Sequence, residues 1–450
     1  MKNFQPSIIF TFIFAFVFSI SAQDDSRSML TWQVQKYDLT ATLPPTEADR
    51  NLTAKAVLNL KNISTSPASS LTLRISQSAT VSAITINGAQ VDFSKREEKI
   101  NEGNNLQKIS IRVPSVQPNG NLTATVDYKL NLKENSGLNA LSSAGSQFLP
   151  LSFWYPTPTS WFYARGGDFA PYSLKVNSTN GLTVLASGAE SGSAFEQKLF
   201  GQPFFIAGNW DRADFSGISV YMPKGADAEA QKRAAELAAL ATEAKTFTAN
   251  LLGTAPEIPL KIVSARRGAG FSGGGSVFVD DSVFRRSKID SQTAMNIAEA
   301  MAKVWLGNIN SVSGDGFGVI YNGLSRFIAT QFLEQKYGKE IADVERLRQR
   351  TAYAAVIKRD APLNIVSPID EFYFVSTANK GAMIWRLLSR RLGQNEFFDT
   401  IKRTAQDKNL DLTELRSAFS AQSEFLDYEL TQITDLNLLV GLPQLIGGET

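Results

Sequence analysis

The chain has 450 residues, with 45 Lys and Arg against 43 Asp and Glu, a net charge of +2, and neither cysteine nor histidine. That length provides for two or three domains, and 43% hydrophobic with 20% charged residues suffices for a sizeable core. The two zeros exclude disulfides, thiolate-bound zinc, iron-sulfur clusters, imidazole ligands, imidazole bases and any Ser-His-Asp triad. The near-neutral balance also argues against a nucleic-acid partner, which asks for clustered Lys and Arg on a strongly basic surface.

Residues 1–22 read as a secretory signal peptide. Lys2 supplies the positive start, Ile8 to Ile20 the apolar stretch and Ala22 the small residue before cleavage. That stretch is too short to span a bilayer and no later one is long enough, so no transmembrane anchor is expected after cleavage. The expected location is secreted or periplasmic.

From Leu30 to about Phe205, short alternating runs are separated by turn residues. Strands are expected at Tyr37 to Ala41, Thr53 to Leu60, Leu71 to Ile75, Ile84 to Ile86, Ile109 to Val113, Leu122 to Leu130, Tyr172 to Val176 and Leu182 to Ala186. Asn87-Gly88 and Asn119-Gly120 are hairpin-type turn signals. The pattern predicts an N-terminal antiparallel β-sandwich over residues 23–205.

Near Lys224 the period changes. Ala226 to Leu252 has helical spacing and is closed by Pro256 and Pro259. Strands at Leu260 to Val263 and Val277 to Val279 flank a glycine-rich loop, Gly268 to Gly275. Helices are expected at Ser291 to Gly307, Tyr321 to Tyr337, Ile341 to Lys358, Asn379 to Leu392, Glu396 to Asp407 and Leu412 to Leu426. The fold class is therefore α+β and multidomain, a sandwich followed by a mostly helical domain over 206–450.

Three separated patches resemble the alanyl aminopeptidase family of zinc exopeptidases, which implies a thermolysin-like catalytic domain behind the sandwich. Glu299 to Asn308 (EAMAKVWLGN) is similar to the family's H-E-x-x-H-x-W-x-G-N helix, keeping the W-x-G-N end. Asn322 to Phe327 (NGLSRF) is similar to the segment that supplies the third zinc ligand, at the family's spacing of eighteen residues after Lys303. Lys380 to Gly393 is similar to the helix that follows the family's catalytic tyrosine. The resemblance places Glu299, Lys303 and Asn322 at the three metal-ligand positions, Ala300 at the general base, Ser272 at the residue that holds the substrate amine and Ala378 at the tyrosine. Tyr373 lies close enough to offer a phenol from a shifted position.

None of these replacements retains the chemistry. Ala300 accepts no proton, Lys303 puts an ammonium where a cation should sit, and Asn322 offers a neutral amide oxygen where zinc needs good ligands. Glu299 and Lys303 are instead an i,i+4 pair in the favoured order, expected to reach each other. No cofactor is expected, the zinc site being lost. Gly270-Phe271-Ser272-Gly273-Gly274 fits G-x-S-x-G formally, but a nucleophile elbow needs a following helix and a His base. The glycines read instead as a permissive loop lining a cleft with Gly273, Gly274, Glu299, Lys303, Asn322 and Tyr373. Asp280, Asp281 and Glu371 read as caps or solvated acids.

The expectation is an exported, non-catalytic relative of zinc aminopeptidases that binds a peptide or protein. The alternatives are a divergent metallo-aminopeptidase or other hydrolase without His, and a structural part of an envelope or secretion assembly.

Overall fold

The structure, a computed structural model, describes residues 31–99, 105–158, 169–178, 181–254, 257–366, 368 and 370–433. The signal peptide expected at 1–22 lies outside them, and among the described residues no helix is long and apolar enough to cross a membrane.

Eight strands come first: β1 (Trp32–Thr42), β2 (Asn51–Asn62), β3 (Ala68–Ser76), β4 (Ala79–Ile86), β5 (Ala89–Gln90), β6 (Phe93–Lys99), β7 (Asn105–Val116) and β8 (Asn121–Asn131). Period-two alternation builds them. In β2, Leu52, Ala54, Ala56, Leu58 and Leu60 point inward while Thr53 and Lys55 face water. Asn87 and Gly88 both have positive φ, 49° and 85°, the left-handed pair of a two-residue turn joining β4 to β5.

Seven more complete the β-rich domain: β9 (Asn139–Ala140), β10 (Ser146–Phe148), β11 (Tyr172–Asn177), β12 (Thr183–Ala186), β13 (Ala189–Ser191), β14 (Ala194–Gln197) and β15 (Phe205–Gly208). An eight-stranded sheet runs β13-β14-β11-β1-β2-β8-β4-β5, beside a three-stranded sheet β3-β7-β6 and a four-stranded sheet β12-β15-β10-β9. Described pairs are antiparallel except β1 with β11. Leu58 and Val126 of the large sheet share one apolar core with Leu73 and Ile109 of the three-stranded sheet. Trp154 and Tyr155 join that core, and the Trp154 indole donates to the Pro203 carbonyl at 3.1 Å.

The change of sheet falls between Gly208 and Trp210. β16 (Trp210–Phe215) and β17 (Ile218–Pro223) form a hairpin that leads into α1 (Ala228–Leu252), then β18 (Leu260–Ala265), β19 (Ser272–Gly273) and β20 (Ser276–Asp280). These strands make a second sheet, β16-β17-β18-β20-β19, in which α1 is the crossover between parallel β17 and β18. Asp227 caps α1 by accepting the Ala230 N–H at 2.9 Å. Lys261 of β18 is buried and donates to the carbonyls of Ala186 at 2.5 Å and Gly188 at 2.9 Å, tying this sheet to the N-terminal domain.

The helical remainder comprises α2 (Ser291–Trp305), α3 (Ser325–Tyr337), α4 (Lys339–Ala354), α5 (Gly381–Leu392), α6 (Gln394–Thr404), α7 (Leu412–Ala418) and α8 (Ser423–Thr431). The single helix expected over Leu412 to Leu426 is two, because the chain turns at Phe419, whose ring enters the core and stacks on Phe397 at 5.6 Å. The helices expected from Tyr321 and Asn379 each begin instead with a π-helical segment, Val319–Leu324 and Val375–Lys380.

Candidate functional site

Helix α2 carries the first site residues. Its N-cap Asp290 accepts the Thr293 N–H at 2.7 Å, and from Thr293 to Trp305 every residue except Asn296 is buried. Two charged side chains therefore sit on a core helix, Glu299 at 6% and Lys303 at 7% exposure. Burial at this level requires each to be paired. Lys303 Nζ lies 2.9 Å from Glu299 Oε1, and Arg326 Nε of α3 lies 2.9 Å from Oε2. Both carboxylate oxygens are thus engaged by cations. Burial alone pushes the Glu299 carboxyl up, but the Arg326 and Lys303 charges overcome it and hold the group at about 2.

The surroundings complete the arrangement. Lys303 also donates to Ser272 Oγ of β19 at 3.1 Å, and its ammonium stands 5.2 Å from the Tyr321 ring centroid. Arg326 Nη1 donates to Asn379 Oδ1 at 2.6 Å. Residues of the W-x-G-N end serve the helix itself. Asn308 Nδ2 donates to the Lys303 carbonyl at 2.6 Å, and the Trp305 indole donates to the Gly253 carbonyl at 3.2 Å.

Asn322 is placed by the two π-helical segments. A Cβ on Gly323 would meet the Thr377 carbonyl at 2.8 Å and Gly381 Cα at 2.9 Å, so the segments cross backbone to backbone where only glycine fits. The crossing sets Asn322 Nδ2 3.2 Å from Thr377 Oγ1. Thr377 spends its own proton on the Tyr373 carbonyl at 2.7 Å, so it can only accept from Asn322. The amide orientation follows, and Asn322 Oδ1 is left buried without a hydrogen-bond partner on a side chain only 2% exposed.

These groups face a cavity of about 600 Å³ between the two domains. Glu299, Lys303, Asn322, Arg326, Ser272 and Tyr373 line it, as do Gly273 and Gly274 of the glycine-rich loop. Gly274 (φ +53°) packs so closely on Ser187 of the N-terminal domain that a Cβ there would lie 2.5 Å from the serine Cβ. Aromatic walls come from Phe169, Phe204, Phe271 and Phe317, with Tyr321 below. Ala300 and Ala378 are buried and lie outside this lining. Asp280 caps a short 3-10 turn, Asp281 accepts from Ser264, and Glu371 is exposed; none of the three lines the cavity.

Structural comparison shows this fold, a β-rich N-terminal domain followed by a second sheet and a helical remainder, in solved M1 zinc metallopeptidases. Leukotriene A4 hydrolase from Saccharomyces cerevisiae superposes with a TM-score of 0.69 at 16% identity, over 93% of this chain and 69% of that one. An M1 zinc metallopeptidase from Deinococcus radiodurans gives 0.64 at 15% identity, over 90% and 95%. A mutant of the Deinococcus protein bound to a Tyr-Ser-Ala substrate gives 0.63 at 16% identity, over 93% and 97%. No sequence-family profile and no curated protein sequence matches the chain.

Solved structures of this fold include zinc metallopeptidases, and the residues present in this chain do not fit zinc. Glu299 has both oxygens engaged by cations, Lys303 adds a positive charge beside them, and Asn322 presents one amide oxygen. Among the described residues no group of three or more His, Cys, Asp or Glu could hold a metal ion.

Arg326, Tyr321 and the Phe271 wall received no role from sequence. Arg326 was findable in principle, since it lies one helical turn beyond Asn322 and a carboxylate replacing a ligand in a core needs cations nearby.

Proposed function

We propose that this protein is an exported, non-catalytic member of the aminopeptidase architecture that binds a peptide or the end of a protein chain in the interdomain cleft. The mature chain would start after residue 22, with a sandwich over 23–205 and a peptidase-like domain over 206–450. No zinc is held and no nucleic acid is bound in this reading. The observation that carries it is the Glu299 carboxylate closed between Lys303 and Arg326, each at 2.9 Å. A cleft so arranged has its cation built in covalently, with neither a general base at Ala300 nor a free ligand set for a metal.

The test combines metal analysis of purified protein, an aminopeptide hydrolysis panel and retention of a randomised peptide pool. Peptide retention without stoichiometric metal or turnover is expected. Stoichiometric metal with turnover that disappears in Glu299→Ala would overturn it.

One contact favours a second reading. Ser272 Oγ is 3.1 Å from Lys303 Nζ, a nucleophile-to-base distance. That reading needs Lys303 Nζ as a base, whereas the same nitrogen is ion-paired with Glu299 at 2.9 Å. Ester hydrolysis abolished by Ser272→Ala would establish the hydrolase instead.

A further inference from the structure

The polar groups of the cleft floor are unbalanced in both charge and hydrogen bonding. Among the described residues lining the cavity, Glu299 is the one acid and Lys303 and Arg326 are bases, so these side chains carry a surplus positive charge. Lys303 has three N–H donors, of which Glu299 and Ser272 take two. Arg326 uses Nε on Glu299 and Nη1 on Asn379, and no described side chain or carbonyl accepts from its Nη2. Asn322 Oδ1, buried and unpartnered, lacks a donor on the same floor. Surplus donors with surplus positive charge call for an anion, and the orphaned amide oxygen calls for an N–H or O–H beside it.

We infer that the floor recognises an α-carboxylate with its neighbouring N–H, as carried by the last residue of a peptide or by an N-acylated amino acid with an apolar side chain. The carboxylate would meet Lys303 and Arg326, the amide N–H would meet Asn322 Oδ1, and the side chain would lie against the aromatic wall of Phe271 and Phe317. An amino terminus is the wrong polarity. It would add a third cation around a single carboxylate whose oxygens are both taken, with Ser272 offering only a hydroxyl already bonded to Lys303. This inference rests on the reading of the cleft as a binding site and specifies which end of the ligand enters it.

Isothermal titration calorimetry on the full chain separates the terms with five probes. N-acetyl-L-phenylalanine carries the carboxylate and the N–H, N-acetyl-L-phenylalaninamide lacks the charge, and 3-phenylpropanoate lacks the N–H. L-phenylalaninamide presents the free amine alone, and L-phenylalanine distinguishes a free amino acid from a chain end. The acetylated acid is expected to bind at least about tenfold tighter than its amide and severalfold tighter than 3-phenylpropanoate. In Asn322→Leu the second gap should close while the first persists, and in Arg326→Gln the first should narrow. L-phenylalaninamide binding as tightly as the acetylated acid would overturn the inference and leave the cleft a binding site of opposite polarity. Binding of no probe would overturn it as well, and the wider reading falls too only if the randomised peptide pool is not retained. The probe ranking on the unsubstituted chain stands even if a variant fails to fold.

Discussion

Two buried carboxylate-lysine pairs lie in the helical domain, and they are built to opposite ends. Asp360 and Lys380 are sealed: both side chains are fully buried, their charges 3.5 Å apart. Asp360 also accepts from the Tyr353 hydroxyl at 2.7 Å and the Ser376 hydroxyl at 2.6 Å, while Lys380 donates to the Gln432 carbonyl at 3.2 Å. Glu299 and Lys303 are buried too, each side chain 8% exposed, but front a cavity, with a second cation in Arg326 and an unpartnered acceptor in Asn322. Neither member of the first pair lines the cavity. A buried ion pair is thus not by itself the sign of a site; the sign is an arrangement whose donors, acceptors and charges do not cancel, set where a ligand could cancel them.

The largest effect that would sharpen this contrast is removal of each acid. Asp360→Ala strands a fully enclosed ammonium and should lower unfolding free energy by about 3–5 kcal/mol in urea denaturation. Glu299→Ala leaves its cations facing a cavity that admits water or anions, so the loss should be smaller, about 1–3 kcal/mol. Equal losses would erase the distinction between the two pairs.

Acid gives the next effect. Glu299 titrates at about 2 in the fold against an ordinary value of 4.5, so between these limits the unfolded chain binds the extra proton. Its contribution, up to about 3 kcal/mol, is complete above pH 4.5 and is lost as pH falls through 2. Glu299→Gln should flatten that part of the stability-pH curve, and an unchanged curve would place the charge elsewhere.

Gly323→Ala forces a Cβ into the Thr377 carbonyl and Gly381 Cα and should cost about 1–3 kcal/mol, measured by thermal unfolding. Because it shifts Asn322 against Thr377, ligand affinity should fall with it. The smallest effect belongs to Arg326→Gln, at about 1 kcal/mol, since this guanidinium is partly exposed and Lys303 still holds Glu299. A loss as large as that of Asp360→Ala would show that Arg326 is part of a sealed network after all.

What the sequence made legible follows from locality. The inward run of Leu52 to Leu60, the turn at Asn87-Gly88 and the approach of Lys303 to Glu299 each depend on residues within one strand, one turn or one helical turn. β16 escaped notice because its WDRADF run is half-buried at best and lacks an apolar face. The π-helical segments were hidden for another reason: Gly323 and Gly381 are ordinary in their own neighbourhoods and matter only because they meet. Arg326 reaches Glu299 across 27 positions: a buried carboxylate's need for cations is legible, but no spacing rule singles out this guanidinium.

The segment Val375–Lys380 carries Thr377 against Asn322 in the cleft, and from the same six residues Ser376 and Lys380 reach Asp360 on the other side. Floor and foundation are one piece of backbone, pinned at the glycine crossing like a beam on its bearing. An occupant pressing on Asn322 loads a member whose far end is already anchored, so the cleft floor is set before anything enters it.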